Sequence, residues 1–150
     1  MNTIFIDFDG VMHPVSAIAG LSPYQLHLEE EMKARNLFCW LPLLEELLRE
    51  YEDVTLVVHS SWKQYLTNEQ MHAILGSLAG RFIGITPNGK GRYLGILDVV
   101  HRAAIVNHLI LDDAMHEFPE NHPELVLTHP AQGLNDKKVL QQVKDWLQKL

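Results

Sequence analysis

The sequence predicts an α/β fold in which helices cover both faces of a mostly parallel, five-stranded sheet. Three observations lead to this fold class. Strand and helix signals alternate along the chain, the strand segments are too apolar to have a solvated face, and no repeat or flexible linker interrupts the alternation. Strands that are apolar throughout are typical of parallel sheets buried on both sides. Alternating strands and helices favour crossover connections, which put helices on the two faces.

The first strand is predicted over residues 3–8, a short apolar run that ends in acids and a glycine. After an irregular stretch, a helix over 41–51 with one apolar face leads into a second strand over 54–58. The remaining predictions are a helix at 68–78, a strand at 81–85, a helix at 94–106, strands at 108–111 and 124–128, and a last helix capped by Asn135.

Length and composition limit the class of protein. The chain has 150 residues, of which 47% are hydrophobic, and this predicts a single globular domain over 1–150 rather than a disordered chain or a membrane span. The lone Cys39 and the absence of a secretory signal lead us to expect a cytoplasmic location. A net charge of −7 argues against nonspecific nucleic-acid binding. The nine histidines lack paired metal-ligand spacing, so we expect scattered surface or core positions.

Polar residues end three of the predicted strands. They are Asp7, Asp9 and Gly10 at the end of the first strand, His59, Ser60 and Ser61 at the end of the second, and Asp112 and Asp113 at the end of the fourth. Parallel strands end at one edge of a sheet, so four carboxylates would converge there. Each acid alone also fits a turn or a helix cap. Asp7, however, lies within the predicted strand, and its spacing from Asp9 places both side chains on one side.

Converging carboxylates imply a cation. Like charges a few ångströms apart repel one another and raise one another's pKa values unless a positive ion lies among them. Carboxylate oxygens without nearby cysteine or paired histidine suit Mg²⁺, which commonly acts on phosphates. The sequence therefore predicts a Mg²⁺ site at the carboxyl edge of the sheet.

Several runs of the sequence resemble a known family. FIDFDGV, VVHSS and LILDD resemble, in sequence and in order, the first, second and fourth motifs of the haloacid dehalogenase-like (HAD) phosphatases. More narrowly, IFIDFDGVMHP, HSSWK, GKGR, LDD and THPAQGLN resemble the HAD domain of Swiss Army Knife RNA repair proteins. The resemblance spans nearly the whole chain. It implies a Rossmann-like three-layer sandwich that is capless or minimally capped, since only a short segment, 11–40, has room for a small cap or flap.

The resemblance also implies roles for individual residues in a Mg²⁺-dependent phosphoric monoester hydrolase. Asp7 would be the nucleophile that forms an aspartyl phosphate, and Asp9 the general acid and then the general base. Asp7, the backbone carbonyl of Asp9, and either Asp112 or Asp113 would hold the metal. Contacts to the phosphate are expected from Gly10, Lys63 and the hydroxyl of Ser60, with Ser61 as the alternative to Ser60. Lys63 stands where the family usually has arginine, so it keeps the charge without the planar fork.

Phosphoryl transfer also needs a cation to offset developing charge. Lys90, Arg92 and Arg102 lie between the second and fourth motifs. Lys90 is our first choice because glycines flank it in a loop that could approach a phosphate, and Arg92 is the second. Solvated surface charges are the alternative interpretation of all three.

Two other hypotheses stay open at this stage. The chain could be a catalytically weak HAD-like module that binds a phosphorylated partner or a nucleic acid end. It could also be a receiver-type phosphoacceptor domain, which groups carboxylates around Mg²⁺ as well. For the enzyme, the expected substrate is a small phosphate ester or a nucleic acid end. The sequence indicates no oligomeric state.

Overall fold

The computed structural model describes residues 1–150 and shows a sheet of five parallel strands in the order β3-β2-β1-β4-β5. The strands are β1 (Asn2–Ile6), β2 (Val54–Val58), β3 (Phe82–Ile85), β4 (Asn107–Asp112) and β5 (Leu125–Leu127). The helices are α1 (Glu29–Ala34), α2 (Leu41–Leu48), α3 (Asn68–Leu75), α4 (Arg92–Arg102) and α5 (Lys137–Leu147). The predicted α/β class is confirmed. No helix combines the length and the apolar character that crossing a membrane requires.

The strand order distinguishes the HAD-like hypotheses from the receiver-domain hypothesis. An order of 3-2-1-4-5 is that of Rossmann folds, whereas flavodoxin-like sheets, the type that receiver domains have, run 2-1-3-4-5. The receiver hypothesis is therefore wrong for this chain. In a 3-2-1-4-5 sheet the strand order reverses between β1 and β4, and the crevice at that switch point is where ligands bind.

The sheet separates two apolar cores of unequal size. Along β1, Ile4 and Ile6 belong to the larger core and Phe5 to the smaller one, as the alternation of a strand requires. Helices α2, α3 and α5 contribute buried side chains to the larger core, and α4 contributes Ile96 to the smaller one. The arrangement is the predicted three-layer sandwich.

The strand register fixes the position of the polar strand ends. Ile6 pairs with Val58 on one side and with Leu111 on the other. The next residues, Asp7, His59 and Asp112, consequently lie in one row across the middle of the carboxyl edge. The ladder continues into this row, since the backbone N–H of His59 donates to the Ile6 carbonyl at 3.1 Å.

Several element boundaries differ from the prediction. β1 ends at Ile6, so Asp7 follows the strand instead of lying within it. Helix α3 ends at Leu75 because Gly76 adopts a positive φ of 53°. The cap of the last helix is also corrected: the side chain of Asp136 accepts from the Lys138 N–H at 2.8 Å, whereas Asn135 lies in the preceding 3₁₀ turn. An aspartate caps a helix as well as an asparagine, so composition did not separate the neighbours.

The segment 11–40 folds back onto the larger core. It consists of two 3₁₀ turns (Val15–Ile18 and Pro23–Gln25) and α1, and it buries Leu26, Leu37 and Phe38. The Arg35 guanidinium donates to the carbonyl of Ala19 at 2.7 Å and so ties the end of α1 to the first turn.

Candidate active site

Three carboxylates meet at the carboxyl edge of the sheet. Asp7, Asp112 and Asp113 each offer an oxygen within 4.8 Å of the others. Backbone donors hold one oxygen of each buried acid: Oδ1 of Asp7 accepts from the Phe8 N–H and Oδ1 of Asp112 from the Ala114 N–H, both at 2.8 Å. The Oδ2 atoms of both acids are therefore directed to side-chain partners.

Arg92 joins the two buried acids. Its Nη1 lies 2.8 Å from Oδ2 of Asp7 and 2.7 Å from Oδ2 of Asp112. Nε2 of His59 lies 2.7 Å from the same oxygen of Asp112. Arg92 reaches the acids because it is the first residue of α4, which begins two residues earlier than predicted, after Gly91. The Arg92 guanidinium thus offsets part of the negative charge of Asp7 and Asp112.

The pKa values of the three acids report the crowding. Burial, reinforced by the nearby Asp112 charge, raises the pKa of Asp7 despite the opposing Arg92. Burial and the charges of Asp7 and Asp112 raise the pKa of Asp113 to about 6. Burial also acts to raise the pKa of Asp112, but the hydrogen bond and charge of His59, together with Arg92, lower it overall. Arg92 alone does not compensate three acids, and an all-carboxylate donor set of this kind fits a hard divalent cation.

Asp9 is separate from this group. Its Oδ1 lies 2.8 Å from Nε2 of His13, and Nε1 of Trp62 is 3.1 Å from both of its oxygens. The expectation that four carboxylates converge is thus corrected to three, because Asp9 turns toward the His13 ring and the Trp62 indole N–H. His13 and Trp62 are both buried and were not among the predicted site residues. For His13, the signal available in the sequence was its position four residues after Asp9.

Gly10 is required by its surroundings. It has a positive φ of 77°, and a Cβ atom at this position would lie 2.3 Å from Oδ2 of Asp113. Its carbonyl accepts a hydrogen bond of 2.7 Å from the Thr128 hydroxyl, so the turn after Asp9 is fixed to the end of β5. The glycine allows the first and fourth motifs to approach closely.

The turn after β2 carries three of the residues that were predicted to contact the phosphate, namely Ser60, Ser61 and Lys63. Ser60 is buried and its hydroxyl accepts from the Trp62 N–H at 3.3 Å, while Ser61 is exposed. The Lys63 ammonium donates to the carbonyl and hydroxyl of Thr86, at 3.1 and 2.7 Å, and to the Pro87 carbonyl at 3.0 Å. Burial and the Arg92 charge lower the pKa of Lys63. Lys63 thereby ties this turn to the end of β3.

The other predicted cations lie away from the carboxylate group. The exposed Lys90 ammonium is 3.1 Å from Oδ1 of Asp98, and Nε of Arg102 is 3.2 Å from Oδ2 of the same residue. The structure therefore brings Arg92 to the acids, and it brings neither Lys90, our first choice, nor Arg102.

A Rossmann-like parallel sheet with Asp7 and Asp9 after its first strand and Asp112 and Asp113 at the end of its fourth defines a HAD-like domain. The family model described as "HAD domain in Swiss Army Knife RNA repair proteins" matches residues 3–139, and the chain belongs to that family. Both levels of the sequence resemblance are confirmed. Searches of curated proteins and of solved structures found no match.

Proposed function

We propose that this protein is a Mg²⁺-dependent phosphatase that hydrolyses a phosphate monoester through an aspartyl phosphate on Asp7. One observation carries the proposal: two acids only two residues apart have different environments. Asp7 lies with two further carboxylates and Arg92, whereas Asp9 is held by two N–H donors. The first environment suits a nucleophile close to a metal and a phosphate, and the second suits a group that transfers a proton.

In the first half-reaction, an oxygen of Asp7 attacks phosphorus while the bond between phosphorus and the ester oxygen breaks. Asp9 donates its proton to the departing oxygen and becomes a carboxylate. Arg92, now 2.8 Å from Oδ2 of Asp7, is near enough to exchange this contact for a phosphoryl oxygen and to stabilise its developing charge. The Ser60 hydroxyl, one residue beyond His59 in the row, is assigned a hydrogen bond to another phosphoryl oxygen.

In the second half-reaction, the Asp9 carboxylate takes a proton from water, and the water oxygen attacks phosphorus. The bond from phosphorus to Asp7 breaks, phosphate leaves, and both aspartates return to their starting protonation states. The same residue acts as acid and then as base, so its carboxyl group has to stay in one place through both steps.

The proposed metal ligands are Asp7, the backbone carbonyl of Asp9, and Asp112 or Asp113. The raised pKa values of Asp7 and Asp113 support a cation here, because crowded carboxylates gain stability from a nearby positive charge. When bound, Mg²⁺ would act as a Lewis acid on the phosphoryl oxygens.

We extend the proposal to a nucleic acid end as the carrier of the phosphate. Three features support it. The family to which the chain belongs is described by its occurrence in RNA repair proteins, and the 11–40 segment, proposed here as a minimal cap, is short. A net charge of −7 fits a contact limited to the end of a strand rather than to its length. A panel of 3′- and 5′-phosphorylated oligonucleotides, nucleotides, sugar phosphates and phosphopeptides tests this choice.

The first prediction concerns the nucleophile. Asp7→Asn should lower the Mg²⁺-dependent hydrolysis of 4-nitrophenyl phosphate by about 10³-fold or more, because the amide cannot form the covalent intermediate. Phosphate release is the measurement, and Asp145→Asn, an exposed acid on α5, is the matched control that should keep wild-type turnover.

Two results would contradict the proposal. Wild-type turnover by Asp7→Asn would remove Asp7 as nucleophile. Tight binding of phosphate esters by the wild-type protein without any turnover across the panel would instead favour the binding-module hypothesis.

A further inference from the structure

A buried chain of hydrogen bonds connects the 11–40 segment to Asp9. His13 is fully buried, with Nδ1 3.2 Å from the Phe38 backbone nitrogen and Nε2 2.8 Å from Oδ1 of Asp9. A backbone N–H can only donate, so Nδ1 is the acceptor in the first bond. The ring proton of the neutral imidazole is therefore on Nε2, which donates to Asp9.

The surroundings of His13 hold this arrangement in place. The Phe38 ring packs edge-on against His13, with centroids 5.1 Å apart, and Trp62 lies on another side at 5.6 Å. Phe38 has a positive φ of 60°, which is strained for a residue with a bulky side chain. Its buried ring contacts Phe8 and Trp62, and these contacts hold the strained backbone that presents its N–H to His13.

The donors distinguish the two oxygens of Asp9. Oδ1 accepts from His13 and from Trp62, whereas Oδ2 has only the bond of 3.1 Å from Trp62. A protonated carboxyl group has one carbonyl oxygen, which accepts, and one hydroxyl, which donates. Donation to Oδ1 makes it the carbonyl oxygen and leaves the transferable proton on Oδ2.

We propose that His13 is a positioning residue that fixes the Asp9 carboxyl group so that Oδ2 delivers and takes up the proton in both half-reactions. This inference rests on the proposed function. His13 does not exchange a proton with the substrate; it acts through its hydrogen bond to Asp9. The 11–40 segment takes part in catalysis because its Phe38 N–H fixes the tautomer of His13.

The test compares two amide variants on two substrates of similar shape. The side-chain amide of His13→Gln is long enough to donate to Asp9, as Nε2 of His13 does. The shorter side chain of His13→Asn still accepts from the Phe38 N–H but no longer reaches Asp9. Phenyl phosphate needs protonation of its leaving oxygen far more than 4-nitrophenyl phosphate does. We expect His13→Asn to lower kcat/KM for phenyl phosphate by about 10²-fold, at least ten times more than for 4-nitrophenyl phosphate, and His13→Gln to restore most of the loss.

An equal loss on both substrates, or no loss, would overturn the positioning role while leaving the proposed function intact. A wild-type protein that hydrolyses neither substrate would overturn the proposed function itself. The tautomer is measured separately by ¹⁵N NMR of histidine-labelled wild-type protein at neutral pH. Protonated Nε2 and unprotonated Nδ1 are expected for His13; the opposite tautomer would contradict the proposal even if His13→Asn does not fold.

Discussion

Asp7 and Asp9 are two residues apart and have contrasting partners. Asp7 is buried beside Asp112 and Asp113 and contacts a guanidinium, whereas Asp9 is partly exposed and contacts an imidazole and an indole. The partners of Asp7 are charged, so its neighbourhood responds to cations and to pH. The partners of Asp9 are the rings of His13 and Trp62, whose hydrogen bonds determine its orientation. Two identical side chains are thus given different chemistry by what surrounds them.

Asp9→Asn should separate the roles of the two acids most clearly. Because the amide cannot protonate a leaving group, kcat/KM for phenyl phosphate should fall by about 10²–10⁴-fold, with a smaller loss for 4-nitrophenyl phosphate. Asp7→Asn should lose both substrates alike. Steady-state kinetics on the two substrates measures the difference.

The same variant offers a second measurement. Without a general base the aspartyl phosphate on Asp7 should persist, and mass spectrometry of the quenched Asp9→Asn protein should detect it. Equal kinetic losses in Asp7→Asn and Asp9→Asn, with no trapped phosphoenzyme, would remove the distinction between the two acids.

An intermediate effect is expected from Gly10→Ala. Gly10 lies in the turn beside Asp9, and a side chain there would displace Asp113, one of the three clustered carboxylates. Alanine at Gly20, where φ is 74° and no atom lies within 4 Å of a Cβ, supplies a matched control for backbone strain of about 1–2 kcal/mol. At Gly10 a Cβ also meets Asp113 at 2.3 Å, so the free energy of unfolding should fall by about 1–3 kcal/mol more. Urea denaturation measures both variants. Equal destabilisation would show that Asp113 yields without penalty.

The middle of the site could be predicted because it follows from sheet geometry. The boundaries of β2 were predicted correctly, and the paired ends of β1, β2 and β4 bring Asp7 and Asp112 into one row. The sequence led us to rank Lys90 before Arg92, whereas Arg92 is the residue that reaches the acids. Both flank the same glycine, and only the start of α4 decides between them.

The surroundings of Asp9 could not be predicted from the sequence, for a different reason. His13 and Phe38 lie in irregular segments and Trp62 in a short 3₁₀ turn, and their contacts depend on a positive φ and on ring packing that no hydrophobic period encodes. Strand ends lie at positions that pairing rules predict, whereas loops are positioned by tertiary contacts.

The smallest effect is expected from Asp113→Asn, which tests the charge sensitivity of the Asp7 side alone. In the metal-free protein with EDTA, the pKa of Asp113 is raised to about 6, so folding favours its protonated form. The stability that this protonated carboxyl group contributes is present below its ordinary pKa of 3.8 and is lost as pH rises through about 6. Asparagine cannot ionise and avoids this loss. The melting temperature of the variant, relative to that of the wild type, should therefore be higher at pH 8 than at pH 4. Saturating Mg²⁺ at pH 8 should reverse the order, because only the wild type keeps the third carboxylate. Thermal melts at the two pH values measure the effect, and an advantage of the variant that is the same at pH 4 and pH 8 would contradict the crowding of charge around Asp7.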